Sequence, residues 1–200
     1  EKQEILAVIR LFDDAHITRL DIAIDYINFA NAGMHYRFYK PNVKQYWIKE
    51  RNGTIGTIYC GSSGSTVQYR YYDKLKERNA KKARIPPNIK SWERLEVKLR
   101  GKNTLNWLAE TKKALVYFKC PDKVKLDDEK ITTKAMLEYL INHPERLNNK
   151  DLSKGTLAKY RKLLKQNKGL DNRLGLTAIN AQDKQAESAR QEIISLLNNN

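Results

Sequence analysis

The stretch TRLDIAIDY, residues 18–26, alternates polar and apolar side chains almost without exception. In an extended strand, successive side chains point to opposite faces of the sheet. One face would carry Leu20, Ile22 and Ile24. The other would carry Arg19, Asp21, Ala23 and Asp25. The stretch therefore predicts a strand with a buried face and with a polar face that holds two carboxylates.

A second alternating stretch, WERLEVKLRG at residues 92–101, follows the same rule. Its buried face would carry Leu95, Val97 and Leu99, and its polar face Arg94, Glu96 and Lys98. If the two strands are neighbours, Asp21, Asp25 and Glu96 converge. Acidic residues that alternate along a strand are most often just its solvated face. In a basic protein, however, a group of carboxylates suits a hard cation such as Mg²⁺ or Mn²⁺, as metal-assisted phosphoryl transfer requires.

Between them lies VQYRYYDKLKER, residues 67–78, with three tyrosines in four positions. On a strand through 67–74, Tyr72 would share a face with Arg70 and Lys74, whereas Tyr69 and Tyr71 would point into the core. The two cations would favour the phenolate and hold a phosphate, which are the two needs of a tyrosine nucleophile. The alternative for any single tyrosine in a strand is ordinary sheet packing.

The remaining pattern predicts an α+β fold, with an antiparallel sheet built of hairpins followed by a helical C-terminal third. Asn52-Gly53 separates two strand-like runs, as in a tight hairpin turn. Helical periodicity is found at about residues 103–118, 131–142, 154–167 and 178–197. It is also found in EKQEILAVIRLFDDA at the start. Because Glu1 already lies inside this helical pattern, we expect the chain to be part of a longer protein. We divide it into a catalytic domain at 1–118 and a helical region at 119–200.

Charge indicates the partner. The 200 residues carry a net charge of +15, and residues 31–102 contain seventeen Lys and Arg against five Asp and Glu. Such a surface is typical of a protein that binds nucleic acid. The basic residues expected to contact the DNA backbone are Lys76, Arg78, Lys81, Lys82, Arg84, Lys98 and Arg100. With only Cys60 and Cys120, no signal peptide and no long apolar run, we expect a cytoplasmic protein without a membrane partner.

The order of TRLDIAIDY, GTIYCGSSGSTVQYRYYDKLKER and WERLEVKLRG resembles the Rep_trans family of replication initiators, which start rolling-circle replication of plasmids. The resemblance covers about residues 1–118 and extends more loosely through LAKYRKLLK. It implies that the nucleophile is Tyr72 in the pattern Arg70-x-Tyr72-x-Lys74. It also implies that Asp21, Asp25 and Glu96 bind Mg²⁺ or Mn²⁺ beside Arg94.

The same resemblance implies a mechanism and partners. The tyrosine nicks plasmid origin DNA at a single-stranded or extruded site, leaving a 5′-phosphotyrosine and a free 3′-hydroxyl. A host helicase and a second copy of the chain are the expected protein partners. Discrimination of the origin is expected from Ser153, Lys154, Gly155, Thr156, Leu157 and Ala158, with Lys159 and Arg161 adjacent. Members of the family usually carry a longer region before the part that corresponds to residue 1 of this chain.

Three alternatives bear on this interpretation. Relaxases of some conjugative elements share the domain, so initiator and relaxase both stay open. Nickases with a His-hydrophobe-His metal motif are excluded, since His16, His35 and His143 are isolated. The alternative of another class is a non-catalytic DNA-binding module whose tyrosines stack on bases. The joint presence of Tyr72 and the three carboxylates argues against that module.

Overall fold

The computed structural model describes residues 16–40, 42–120, 130–148, 152–166 and 173–197. The helix expected at residues 1–15 lies outside them. Among the described residues, no helix is both long enough and apolar enough to cross a membrane.

A five-stranded antiparallel sheet forms the centre of the structure. Its strands are β1 (Arg19–Ile27), β3 (Gln45–Lys49), β4 (Ile55–Cys60), β5 (Val67–Asp73) and β6 (Trp92–Arg100). They lie in the order β1-β6-β5-β4-β3, so the two alternating stretches of the sequence are neighbours. A second, two-stranded sheet pairs β2 (Arg37–Phe38) with β7 (Phe118–Lys119).

Five helices follow or interrupt the strands in the part of the chain that the structure describes. They are α1 (Lys74–Ala80), α2 (Trp107–Tyr117), α3 (Ile131–Asn142), α4 (Lys154–Gln166) and α5 (Arg173–Leu197), with 3-10 turns at Gly101–Thr104 and Pro144–Asn148. The predicted α+β fold class is confirmed. The helix expected from residue 103 begins instead with a 3-10 turn, and the last helix begins at Arg173, five residues earlier than its periodicity predicted.

The buried face of the sheet packs against α2 and the small second sheet. Leu95, Val97, Leu99, Tyr69 and Tyr71 are fully buried there. They meet side chains of the helix and of β2 and β7, namely Ala114, Leu115, Phe38 and Phe118. Leu174, Ala178 and Ile179 of α5 also pack against this core, so the start of the last helix packs on its own chain. Tyr69 and Tyr71 are core residues, as their positions on the strand predict.

A second apolar cluster joins α3 to α4 through Leu137, Leu140, Ile141, Tyr160 and Leu164. Two contacts tie it to the sheet region. The hydroxyl of Tyr39 donates to the carbonyl of Ile141 at 2.7 Å, and the Trp47 ring stacks on His143 with centroids 5.8 Å apart. The helical region is therefore attached beside β3.

Local turn chemistry sets where the strands end. Gly53 adopts a φ of 81° in the hairpin between β3 and β4, where its amide donates to the carbonyl of Glu50 at 2.9 Å. A positive φ of this kind is readily adopted by glycine. Strand β5 ends at Asp73, whose carboxylate accepts the amide of Lys76 and caps α1. Lys74 is thus the first residue of a helix. The alternation predicts a strand residue at this position, and that prediction is wrong.

Candidate active site on the polar face of the sheet

The register of the strands aligns the polar residues in three rows across the sheet. The first row is Asp21, Lys98 and Gln68. The second is Ala23, Glu96, Arg70, Tyr59 and Tyr46. The third is Asp25, Arg94, Tyr72, Thr57 and Ile48. Because side chains at every second position share a face, all the residues expected in the site lie on one side of the sheet except Lys74, which belongs to α1.

The side chain of Tyr72 is buried beneath the side chains around it on the polar face of the sheet. Its side chain is only 3% exposed, and its hydroxyl donates to Oε1 of Glu96 at 2.8 Å. The guanidinium carbon of Arg70 lies 4.0 Å from the centre of the Tyr72 ring. Burial, the hydrogen bond to Glu96 and the negative charge of Glu96 raise the pKa of the Tyr72 hydroxyl above its usual value, and Arg94 offsets only part of this. The prediction that cations favour the phenolate is therefore wrong for this structure.

The reason is where the two predicted cations point. Arg70 stacks on the face of the Tyr72 ring, and its Nη1 reaches Oε2 of Glu96 at 3.4 Å. Lys74 lies 5.7 Å from the ring centre and forms an ion pair with Glu77. Neither ammonium nor guanidinium meets the phenol oxygen, which faces a carboxylate instead. The arrangement is that of a neutral phenol beside a proton acceptor.

Glu96 and Asp21 line one cavity of about 280 Å³. Its other walls are Arg19, Tyr59, Gln68, Arg70 and Lys98. Asp21 accepts Nε of Arg19 at 2.9 Å, and this hydrogen bond lowers the pKa of Asp21. The cavity therefore combines two carboxylates with three cationic side chains, a composition that fits a phosphate group together with a cation.

Asp25 lies apart from that cavity, in the row that contains Tyr72. Both of its oxygens accept from Arg94 at 2.7 Å, and Oδ1 also accepts Nε1 of Trp92 at 2.7 Å. Burial alone would raise the pKa of Asp25, but the hydrogen bonds from Arg94 and Trp92 outweigh it and lower that pKa. A bidentate pair of this kind fixes the guanidinium plane, so Asp25 holds Arg94 beside Tyr72.

The three carboxylates consequently share a face without meeting at a point. Asp21 and Asp25 are four residues apart on β1, which corresponds to about 13 Å along a strand. Glu96 lies opposite Ala23, midway between them. Within the described ranges, no group of three acidic, His or Cys side chains is close enough to hold one metal ion. Asp21 and Glu96 are the two carboxylates that line a single cavity, together with the oxygen-bearing side chains of Gln68 and Tyr59. Hard divalent cations prefer oxygen donors.

The basic residues expected to bind DNA occupy two regions. Lys76, Lys81, Lys82 and Arg84 are exposed on α1 and the loop that follows it, and Arg78 is half-buried there. Lys76 pairs with Glu50 at 2.9 Å and Lys81 with Glu77 at 2.5 Å. Lys98 and Arg100 lie instead on the polar face of β6, and Lys98 lines the cavity.

The loop after α1 is fixed to the end of β1 by Asn28. The side-chain oxygen of Asn28 accepts the amides of Lys90 and Ser91 at 2.7 and 3.1 Å, and its amide nitrogen donates to the carbonyl of Asn88 at 2.8 Å. Helix α1 thus begins two residues after Tyr72, and the basic loop that follows it ends beside Trp92, which donates to Asp25.

One buried acid was not predicted from the sequence. Glu93 is 3% exposed and accepts hydrogen bonds from the amides of Gly33 and Met34, at 2.6 and 2.9 Å, and from the hydroxyl of Tyr71. Burial raises the pKa of Glu93 above its ordinary range in spite of these donors. Position 93 shares its side of β6 with Leu95, Val97 and Leu99, and a carboxylate on that core face is itself a signal that buried donors surround it.

The segment expected to discriminate origins forms the start of α4. The hydroxyl of Ser153 accepts the amide of Thr156 at 3.1 Å and caps the helix. Leu157 is buried, Thr156 is half-buried, and Arg161 donates to the carbonyl of Leu147 at 2.5 Å. Lys154, Gly155, Ala158 and Lys159 are exposed. The exposed residues of this segment therefore lie on helix α4 and not on the polar face of the sheet.

Comparison with known proteins gives a distant likeness. No protein-family model matches the chain, and no curated protein matches it. Among solved structures, the chain is similar to a rolling circle replication initiator protein from Geobacillus stearothermophilus, with 15% sequence identity and a TM-score of 0.38. The similarity covers 71% of this chain and 62% of that protein, so the chain spans less than two thirds of the length of its relative.

Proposed function

We propose that this chain is a DNA nicking and strand-transfer enzyme whose nucleophile is Tyr72, acting at an origin as a rolling-circle replication initiator. The observation that carries the proposal is the hydrogen bond from the Tyr72 hydroxyl to Glu96, on a sheet face where Arg70, Arg94 and Lys98 offer positive charge. A phenol with an adjacent carboxylate and surrounding cations has the parts of a nucleophile, a proton acceptor and a phosphate-binding site.

The phosphate enters the cavity between Glu96 and Lys98 and attracts Arg70 away from the Tyr72 ring. The long bond of 3.4 Å from Arg70 to Glu96 is weak, so an anionic phosphate competes with it readily. This movement uncovers Tyr72. Binding of substrate and exposure of the nucleophile are therefore coupled through one side chain.

The Tyr72 oxygen then attacks phosphorus in line while its proton passes to Glu96. The bond between phosphorus and the 3′-oxygen breaks, and the 3′-oxygen takes a proton from solvent water and leaves as a hydroxyl. Arg94, held by Asp25, and Arg70 stabilise the charge that develops on the phosphate oxygens. The products are a 5′-phosphotyrosine and a free 3′-hydroxyl, and reversal of the same steps reseals the strand without ATP.

A divalent cation, Mg²⁺ or Mn²⁺, would be held by Asp21 and Glu96, because these carboxylates line the same cavity. Asp25 would act as a further ligand of the ion only if its two hydrogen bonds from Arg94 were broken. When bound, the ion supplies Lewis-acid stabilisation of the phosphate oxygens. The residues of the chain remain responsible for binding the strand, orienting the phosphate and accepting the proton.

The remaining parts of the proposal concern partners. The exposed basic residues of α1 and its loop contact the phosphate backbone of origin DNA, and the exposed residues at the start of α4 contact its duplex. A helicase and a second copy of the chain are the proposed protein partners. A relaxase of a conjugative element would use the same chemistry on a different nick site.

A second candidate function is a non-catalytic DNA-binding module. It is favoured by the burial of Tyr72 and by the raised pKa of its hydroxyl. The two candidates separate in one experiment, in which the full chain is incubated with Mn²⁺ and a supercoiled plasmid that carries a rolling-circle origin. Nicked circles and protein covalently attached to DNA in denaturing gels support the enzyme. Retarded but intact plasmid without any adduct contradicts it.

A further inference from the structure

A pair of tyrosines on β3 and β4 is not used by the chemistry above. Tyr46 and Tyr59 lie directly opposite each other in the sheet register, in the same row as Arg70 and Glu96. Tyr46 is 45% exposed, and its neighbour on the same face, Ile48, is 54% exposed. Exposed large side chains that adjoin one another on one face, unlike single scattered ones, are typical of a binding surface.

Each of these rings carries a cation beside it. The Lys44 ammonium lies 5.7 Å from the centre of the Tyr46 ring, and the Arg70 guanidinium carbon lies 5.7 Å from that of Tyr59. Alternation of flat rings with cations is the composition of surfaces that bind single-stranded nucleic acid, in which bases stack on rings and the backbone meets the charges. The net charge of +15 favours a polyanion as the occupant.

Arg70 connects this surface to the nucleophile. Its guanidinium carbon lies 4.0 Å from the centre of the Tyr72 ring and 5.7 Å from the centre of the Tyr59 ring. The cavity wall also includes Tyr59. A strand whose phosphate occupies the cavity can therefore continue towards β3 across Tyr59 and then Tyr46.

We infer that Tyr46 and Tyr59 form a base-stacking platform for the single-stranded DNA that flanks the scissile phosphate. This inference rests on the proposed function, since it assigns the direction in which the substrate leaves the cavity. The platform reads no sequence, because every base offers a flat face to an aromatic ring. Its effect is to hold the strand in register while Tyr72 and Glu96 act.

The test measures binding of the full chain, without metal, to two fluorescent oligonucleotides of equal length, about 16 nucleotides, which is near the upper site size for such surfaces. One is oligo(dT), and the other has the same backbone with abasic residues throughout. Both carry the same phosphate charge, so a preference for oligo(dT) reports base contacts and not electrostatics. Anisotropy titrations give the two dissociation constants.

We expect Tyr46→Ala to weaken oligo(dT) binding about tenfold, since loss of a stacked ring costs on the order of 1–3 kcal/mol. Binding of the abasic strand should stay unchanged, and Tyr46→Phe should retain the affinity for oligo(dT). The matched control is Tyr139→Ala on α3, because Tyr139 has the same 45% exposure but lies away from the sheet face.

The outcomes separate the inference from the function on which it rests. If Tyr46→Ala binds oligo(dT) as tightly as the unchanged chain and as Tyr139→Ala, the platform is refuted while DNA binding stands. The same holds if the unchanged chain binds both strands equally. If the unchanged chain binds neither strand at low salt, the proposed function fails together with the platform.

Discussion

The phenol of Tyr72 and the carboxylate of Glu96 are hydrogen-bonded at 2.8 Å across two adjacent strands. Their backbones are not in direct register, since Tyr72 lies opposite Arg94 and Glu96 lies opposite Arg70. The contact is diagonal, and long side chains commonly make such contacts on one face of a sheet. It places the proton acceptor beside the nucleophile and leaves the two arginines to meet the phosphate.

The first prediction tests the nucleophile. Tyr72→Phe removes one hydroxyl and its hydrogen bond, which should cost about 1 kcal/mol of unfolding free energy. DNA affinity should be retained, while nicking and the covalent adduct disappear together. Plasmid nicking and peptide mapping of the adduct measure this.

Tyr69→Phe is the matched control, because the Tyr69 hydroxyl meets Lys40 in the core at 3.0 Å and not the polar face. An active Tyr72→Phe protein, or label on the peptide at Tyr69 or Tyr71, would show that another residue attacks the phosphate.

The second prediction concerns the metal. Asp21→Asn and Glu96→Gln should each weaken Mn²⁺ binding by about tenfold or more, since affinity for hard cations follows the charge of the ligands. Asp25→Asn should have a smaller effect, because Asp25 is already engaged by Arg94 and Trp92. Calorimetric titration of Mn²⁺ into each variant without DNA gives the affinities. Loss of binding in Asp25→Asn alone would place the ion in the row of Tyr72.

Alternation along β1 and β6 was enough to place Asp21, Asp25, Arg94 and Glu96 on one face, because a period of two leaves no other choice once the core face is known. It was not enough to say which acid meets which base. That depends on the register between strands, which sets Asp25 opposite Arg94 and Ala23 opposite Glu96.

The helix start at Lys74 was also missed, although Asp73 is a favoured capping residue and helical residues follow it. The alternation before it predicts a strand that continues to Lys74, whereas the strand ends one residue earlier, at Asp73. The direction of the pKa shift of Tyr72 could not be predicted for a related reason. A sequence shows that cations are near the tyrosine, but not whether they face its ring or its oxygen.

The third prediction concerns pH and the buried acid Glu93. Because burial raises the pKa of Glu93 above 4.5, the folded chain keeps this proton to higher pH than the unfolded chain. Stability from this group is therefore greatest below pH 4.5 and falls as pH rises through the raised pKa. Glu93→Gln should remove this part of the slope.

Denaturant unfolding of both proteins between pH 4 and pH 8 measures it. Acids with lowered pKa values, such as Asp21 and Asp25, give the opposite slope in both proteins and cancel in the difference. The difference should shift in favour of Glu93→Gln as pH rises. A difference that is constant or moves the other way contradicts the assignment.

The fourth prediction separates recognition of the origin from chemistry. Replacing Lys154, Gly155 and Ala158, which are exposed on α4, should change the preferred duplex while cleavage of a single-stranded nick site stays nearly intact. Ser153 and Leu157 should be kept, because they cap and anchor the helix. Competition between two origin duplexes gives the preference. Loss of single-strand cleavage in a folded variant would instead assign this helix to the active site.

The fifth prediction concerns Arg70, which covers Tyr72 and contacts Glu96. Arg70→Lys keeps the charge but loses the planar guanidinium, so it cannot stack on the ring and contact two phosphate oxygens at once. If Arg70 stabilises the transferring phosphate, single-turnover cleavage at saturating DNA should fall by about 10²–10³, the usual cost of removing one such donor. The dissociation constant for DNA should change much less. Arg100→Lys also keeps the charge and lies on the same face of β6, opposite Arg19 and away from Tyr72, so its rate and its dissociation constant should both stay nearly unchanged. An unchanged rate in Arg70→Lys would mean that Arg70 acts only as one more charge on the surface.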